Sequence, residues 1–281
     1  MSSNRIAIVT GANKGLGLAL VKGLCKGFKS IVYLTSRDEE RGRNACKILR
    51  ESGHNPEYHQ LDVSDKGSVE NFITFIKERH GKVDLLINNA GILFLKDAKE
   101  TKLFQAEQTV LVNFTSLVDF TEAMLPLMNN GGKIVNISSS SGHLSRIPSE
   151  ELRQEISSSD MNLENLRKLM NAYVECVRLN EEVKKGWGES PYVVSKVGVN
   201  AYTFMLNRKL AERGILVNCV HPGYVISDMT KGAGSVTPEE AAEVVLKVAL
   251  DSKSGGQYFW HNGQIVPWDG PDPRGYIDGK M

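Results

Sequence analysis

Tyr192 and Lys196 stand four residues apart, so on a helix both project from one face, one above the other. A free tyrosine, with a pKa of about 10, is a poor acid or base near neutrality. A neighbouring ammonium favours the phenolate and would draw that value toward the working range. Taken alone, the same pair could be an ordinary surface couple. A second constellation opens the chain: Thr10-Gly11-Ala12-Asn13-Lys14-Gly15-Leu16-Gly17, with a β-branched run before it and a helical pattern after it. Glycines at such a turn let the backbone approach a pyrophosphate, whose charge the following helix N-terminus favours. The spacing is GxxxGxG rather than GxGxxG, and no GK[ST] follows, so this is not a P-loop.

Which dinucleotide the loop would hold is read at the end of the second strand. An acidic residue there suits the ribose 2′-hydroxyl, an arginine the 2′-phosphate. The strand ends Thr35-Ser36-Arg37. Arg37 offers a planar fork of donors and Lys14 a second cation, a combination that predicts NADPH over NADH. Asp38 reads as a helix N-cap. Other chemistries find no footing. The six histidines show no HExxH spacing and no acidic cluster joins them, so no metal is expected. No GxSxG elbow marks a serine hydrolase. Cys25, Cys46, Cys176 and Cys219 are widely spaced, with no CxxC, as reduced cytosolic thiols would be.

Strand-like and helix-like segments alternate to position these groups. Arg5–Thr10, Ser30–Thr35, Glu57–Leu61, Val83–Ile87, Lys133–Ile137, Ile215–Val220 and Gln257–Trp260 read as strands. Helices are expected around Leu16, Leu20 and Leu24, over Asp38–Glu51, around Val69, Phe72, Ile73 and Ile76, and over Ala106–Met128, Tyr192–Glu212 and Pro238–Leu250. This rhythm, with near-continuous apolar strands, means an α/β fold: a parallel sheet with helices on both faces. Between Ser141 and Pro191 no strand appears. Leu163, Leu166, Met170, Tyr173, Val174 and Val177 share one helical face there, so residues 142–190 read as a helical insertion. Trp268–Met281, rich in Gly, Pro and Asp, reads as an irregular tail.

The motifs, in order, resemble the short-chain dehydrogenases/reductases: TGANKGLG at Thr10–Gly17, Leu61-Asp62-Val63, Asn88-Asn89-Ala90-Gly91, Asn136-Ile137-Ser138-Ser139, Tyr192-Val193-Val194-Ser195-Lys196 and Pro222-Gly223. Within that family the glycine loop, Ser36-Arg37-Asp38, Gly223-Tyr224-Val225 and the long insertion are most similar to the monomeric NADPH-dependent carbonyl reductases. The resemblance implies a Rossmann-type doubly wound sheet of seven strands, order 3-2-1-4-5-6-7, in a single domain over 1–281. It implies that Tyr192 donates a proton to a carbonyl oxygen, that Lys196 holds the nicotinamide ribose and lowers the tyrosine pKa, and that Ser139 hydrogen-bonds the carbonyl. Asn113 would support a water-linked proton path to the lysine. The cofactor would be held by Gly11, Asn13, Lys14, Gly15, Leu16, Gly17, Arg37, Asp62, Val63, Asn89, Pro222, Val225 and Ser227, together with Tyr192 and Lys196. Asp62 would meet the adenine and Val225 the carboxamide. Ser227 stands where the family often has threonine. Tyr224 would present an aromatic wall to the substrate, with Phe94 and Leu95 in the same cleft.

The chain has 281 residues, 41% hydrophobic and 24% charged, with a net charge of +1. Near-balanced charge offers no basic field for nucleic acid. No run approaches the roughly 20 apolar residues of a membrane span, and the N-terminal segment holds no signal-peptide core. The length falls between one α/β domain and two. Ser139 and Tyr192 enclose 52 residues, far more than the family pattern usually places there. The excess is thus a local insertion; in relatives that share it, it resembles a cover over the helix face used elsewhere for tetramer assembly, which implies a monomer. The expected function is reduction of a small-molecule carbonyl by NADPH in the cytoplasm. Oxidation of an alcohol or steroid at the same site is the alternative within enzymes, and a non-catalytic NADP(H) sensor the alternative outside them.

Overall fold

The computed structural model describes residues 5–28 and 30–279. The expectations for residues 1–4 and 29 and for the tail at Lys280 and Met281 lie outside these. The glycine loop joins β1 (Ile6–Val9) to α1 (Gly15–Gly27), and the alternation continues through β2 (Ile31–Ser36), α2 (Glu39–Glu51), β3 (Glu57–Gln60), α3 (Lys66–Arg79) and β4 (Val83–Asn88). After α4 (Lys102–Val110) and α5 (Ser116–Met124) comes β5 (Met128–Ile137). The insertion supplies α6 (Glu150–Ser157) and α7 (Leu163–Arg178), and α8 (Pro191–Lys209) leads to β6 (Leu216–Val220). The chain ends with α9 (Pro238–Asp251), β7 (Tyr258–Phe259), β8 (Ile265–Val266) and α10 (Pro273–Tyr276).

The sheet order is 3-2-1-4-5-6-7-8, parallel except for the last pair. The expected seven strands are thus joined by an eighth. Trp260 N–H donates to Gln264 O across the hairpin, and Gly263 (φ +83°) makes the left-handed turn that an Asn-Gly pair favours. Strand residues alternate between two cores. Ile6 and Ile8 face one side, with α3, α5 and α8; Ala7 and Val9 face the other, with α1 and α9. Burial on both faces is why these strands read as continuous apolar runs. β3 lies at the edge and its four residues are all half-buried, which explains its weaker pattern. Asn88 and Asn136 pair in register on adjacent strands. Asn88 Nδ2 donates to Asn136 Oδ1 at 2.8 Å, so these two motif residues knit the sheet rather than do chemistry.

The expected helix Ala106–Met128 starts earlier, at Lys102, and ends earlier. A π turn, Leu111–Thr115, separates α4 from α5, and Met128 already pairs with Val83 in β5. Gly131 (φ +76°) and a register shift let β5 begin in the Asn-Asn-Gly-Gly stretch, which turn chemistry disguises as loop. The helical stretch Lys102–Leu127 is, against the expectation, long and apolar enough to cross a membrane, but most of its apolar window is buried, so that character belongs to the core.

In the insertion Leu166, Met170, Tyr173 and Val177 are buried, the face the periodicity predicts, and α7 lies against α4 and α8. The tail is irregular apart from α10, as expected, but it is tied to the rest of the chain. Trp268 Nε1 donates to Gly142 O at 2.7 Å, Leu144 N–H donates to Trp268 O, and Asp278 accepts from Trp260 Nε1 and His261 Nε2. Burying an aromatic side chain outweighs the disorder that Gly, Pro and Asp favour.

Candidate active site

Ser139 and the Tyr192/Lys196 pair meet where β5 ends beside α8. Ser138 N–H donates to Val220 O at 2.8 Å, holding the end of β5 against β6, and Ser139 follows in extended backbone. The Ser139 carbonyl accepts from Tyr258 Oη at 2.5 Å, and its hydroxyl accepts from Ser141 N–H at 3.2 Å. Helix α8 starts with Pro191 in its first turn, and the Ser190 hydroxyl caps Val193 N–H. Tyr192 therefore projects from the helix's first turn. From there on α8 is buried on nearly every side, through the sheet, α4 and α7. A Cβ on Gly198 would lie 2.8 Å from Met170 Sδ and 3.0 Å from Phe114 Cδ2, so the glycine lets α7 and the π-turn helix pack closely against α8.

Lys196 is 6% exposed and donates from Nζ to Ile137 O at 2.7 Å, which anchors the helix to the strand end. Its ammonium lies 5.6 Å from the centroid of the Tyr192 ring. Burial brings Lys196 down to about 8. Burial also pushes the Tyr192 phenol up to about 12, with a hydrogen bond to Ser139 pulling the other way. Desolvation dominates at Tyr192, and the Lys196 ammonium is engaged with a strand carbonyl.

Asn113 sits in the π turn, fully buried. Its Oδ1 accepts from Ile92 N–H at 2.8 Å, while Nδ2 donates to Ile92 O at 2.9 Å and to Ser195 Oγ at 3.2 Å. The amide is thus committed to fixing the loop after β4 against α8. π turns inside α-helices are frequent at functional sites, and this one lies beside the catalytic helix.

The glycine loop carries the marks of a dinucleotide cradle. Gly11 (φ +61°) and Gly15 (φ +53°) are left-handed. A Cβ on Gly17 would lie 2.6 Å from Asn89 Nδ2 and 2.7 Å from Gly11 O. Asn89 Nδ2 donates to Thr10 O and Gly11 O, and Thr10 Oγ1 accepts from Asn89 N–H and Ala90 N–H. Lys14 takes the N-cap position of α1 without a side-chain cap, so the free N–H groups of the first turn suit an anion. Asn13 and Leu16 are half-buried in the same turn. Arg37 is exposed at the end of β2, and Asp38 caps α2 through Arg41 N–H at 2.9 Å. Asp62 and Val63 are half-buried after β3, with Asp62 Oδ1 accepting from Ser64. These residues fit NADP(H) by shape and charge.

Across the cleft, Pro222 is buried and Gly223 (φ +91°) turns the chain into an exposed segment. The Val225 carbonyl accepts from Thr230 Oγ1 at 2.8 Å, which leaves its N–H as the natural group for a carboxamide. Ser227 caps a short turn, Asp228–Thr230. Tyr224 is 48% exposed; Phe94 packs edge-on against Phe104, which is itself exposed. Two surface grooves of about 470 and 450 Å³ lie elsewhere, under the tail, and neither is lined by Ser139, Tyr192 or Lys196. Among the described residues no group of three His, Cys, Asp or Glu could hold a metal.

Sequence reasoning missed Arg41, whose charge acts on Asp228 across the cleft; its i+4 spacing from Arg37 could have revealed it. It also missed Tyr258 and Trp268, which hold the Ser139–Gly142 backbone from far along the chain. No local pattern signals that contact.

A doubly wound sheet with this cradle and this Ser–Tyr–Lys arrangement defines a class. The profile of the short chain dehydrogenase family matches residues 5–149 and 180–237, and the chain belongs to that family. It is 40% identical to "Carbonyl reductase [NADPH] 1" of Bos taurus over 95% of this chain and 99% of that protein. It is 39% identical to "Carbonyl reductase [NADPH] 3" of Mus musculus, over 89% and 92% respectively. Among solved structures, salutaridine reductase from Papaver somniferum superposes with a TM-score of 0.83 at 30% identity, covering 91% of this chain and 99% of that one.

Proposed function

We propose that the chain reduces small-molecule carbonyls to alcohols with NADPH, and that Asn113, Ser139, Tyr192 and Lys196 do the work. The observation that carries this is the convergence of Ser139, Tyr192 and Lys196 at the sheet end beside a glycine cradle with Lys14 and Arg37 on its rim. NADPH bound in that cradle supplies the hydride that reaches the carbonyl carbon. Gly11, Asn13, Gly15, Leu16, Gly17 and Asn89 shape the pyrophosphate site, Lys14 and Arg37 meet the 2′-phosphate, and Asp62 and Val63 flank the adenine. Pro222, Val225 and Ser227 close over the nicotinamide, and Tyr224 walls the substrate side.

Ser139 and Tyr192 donate hydrogen bonds to the carbonyl oxygen, and the Tyr192 Oη proton transfers as negative charge develops there. A phenol held near 12 is protonated throughout the neutral range, the state a donor needs. Oxidation of an alcohol would need the phenolate, which the same burial disfavours. Lys196 returns positive charge to the site and orients the ribose. Asn113 supports a water-linked proton path to Lys196 by fixing the loop after β4 against α8, through its amide bonds to Ile92 and Ser195. A passive sensor has no use for all four groups.

The enzyme acts as one domain and as a monomer in the cytoplasm. Helix α7 covering α4 and α8 supports the monomer, and four free cysteines suit a reducing compartment. The test is NADPH consumption with a panel of ketones, aldehydes and quinones, together with sedimentation of the pure protein. Cofactor binding without turnover of any carbonyl would favour the sensor instead.

A further inference from the structure

Lys14 Nζ donates to Asp228 Oδ2 at 2.6 Å, with the two side chains 57% and 76% exposed. Asp228 opens the turn whose cap, Ser227, lies against the glycine loop: a Cβ on Gly15 would sit 3.7 Å from Ser227 Cβ. The carboxylate is held below its usual range by the Lys14 hydrogen bond and charge, with the more distant charge of Arg41, from the first turn of α2, acting in the same direction. Two elements therefore meet at one anion: the glycine loop, through Lys14, and the segment that covers the cleft. That anion is the chain's own carboxylate, seated at a cation that a nucleotide phosphate would use.

We infer that Asp228 sets how strongly the cleft distinguishes phosphorylated from unphosphorylated dinucleotide, because its carboxylate competes with the 2′-phosphate for Lys14. The inference rests on the proposal that Lys14 faces that phosphate. NADPH then binds against a competitor that NADH does not meet. Because the pair is solvent-exposed, its effect is modest and weakens as salt screens it. The competition also joins the two halves of the cleft, since taking Lys14 from Asp228 frees one end of the Asp228–Thr230 turn. The other end is tied by the Lys231–Asp97 ion pair to the loop after β4.

Calorimetric titration of the full chain with NADPH and with NADH tests this. Asp228→Asn should tighten NADPH roughly two- to five-fold at low salt, leave NADH unchanged, and lose its advantage at high salt. Asp228→Glu should bind NADPH as the parent does. Lys14→Met should weaken NADPH, and in that background Asp228→Asn should have a smaller effect. If Asp228→Asn leaves NADPH binding unchanged or weakens it while Lys14→Met still weakens it, the inference is overturned and the phosphate assignment stands. If Lys14→Met leaves NADPH binding unchanged, the assignment itself fails and the inference falls with it.

Discussion

The nucleotide half of the cleft and the catalytic half are built on opposite principles. In the first, the working groups are backbone N–H groups and exposed cations, placed by short runs of neighbouring residues: Thr10–Gly17 for the loop, Ser36–Asp38 for the phosphate end. In the second, they are side chains brought together from positions 113, 139, 192 and 196, Asn113 and Lys196 buried and Ser139 and Tyr192 half-buried, and held by partners as distant as Tyr258 and Trp268. Exposed charges exchange freely with water and act over distance. Desolvation shifts the catalytic pair, Tyr192 to about 12 and Lys196 to about 8. Binding a charged cofactor needs reach and exchange with water; moving one proton needs a fixed, dry geometry.

The sharpest test of the contrast is Tyr192→Phe, which removes one hydroxyl from the buried half. It should cost about 10²- to 10⁴-fold in turnover with NADPH affinity nearly unchanged, read by steady-state kinetics and calorimetry; retained activity would break the proton-donor assignment. Next comes Trp268→Ala. Loss of its packing and of the bond to Gly142 should cost about 3 kcal/mol of stability, seen in denaturant unfolding, and should lower turnover through the Ser139 backbone. If activity and stability were both unmoved, the tail would be no part of the catalytic scaffold.

Lys196→Met sets function against stability. In the folded chain the lysine's affinity for its proton is depressed from 10.5 to about 8 by burial. The unfolded chain therefore binds more protons between those values, and wild-type stability rises as pH climbs through that window. Below pH 8 the buried ammonium carries its full cost. The methionine variant should be inactive yet more stable by about 2 kcal/mol near neutrality, after allowing for the lost bond to Ile137 O. The gain should shrink as pH rises above 8, which chemical unfolding across pH would show. A destabilised variant would mean that the Ile137 contact outweighs desolvation. The smallest effect belongs to the exposed half: Arg37→Asp should lower the preference for NADPH over NADH by about tenfold, with kcat little changed. An unchanged ratio would remove Arg37 from the phosphate site.

The same contrast governs what could be read before folding. Gly11, Lys14, Arg37 and the Tyr192/Lys196 spacing are legible because each sits in a short run whose local conformation is dictated by its own residue types. The strands and the α7 face are legible from apolar periodicity. The π turn around Asn113 is hidden because one extra residue per turn barely disturbs an apolar helical pattern. The start of β5 is hidden by its asparagines and glycines. The eighth strand left a signal, Asn262-Gly263, in a segment too short for periodicity to register. The raised Tyr192 depends on burial by distant elements, and no spacing of residues encodes it.

The insertion departs from the catalytic scaffold and returns to it at nearly one point. Ser149 N–H donates to Gly186 O at 3.0 Å, and a Cβ on Gly186 (φ +78°) would lie 2.4 Å from Ser149 Cβ. The excursion between them, α6 and α7, is therefore tied off at a neck, and the family profile passes over residues 150–179 inside it. A loop whose ends already touch can be lengthened, shortened or exchanged at little entropic cost to the rest of the chain. The lineage could thus alter the roof over α8 without re-cutting the β5 and α8 ends that carry Ser139 and Tyr192, so long as the residue at the neck stays without a side chain.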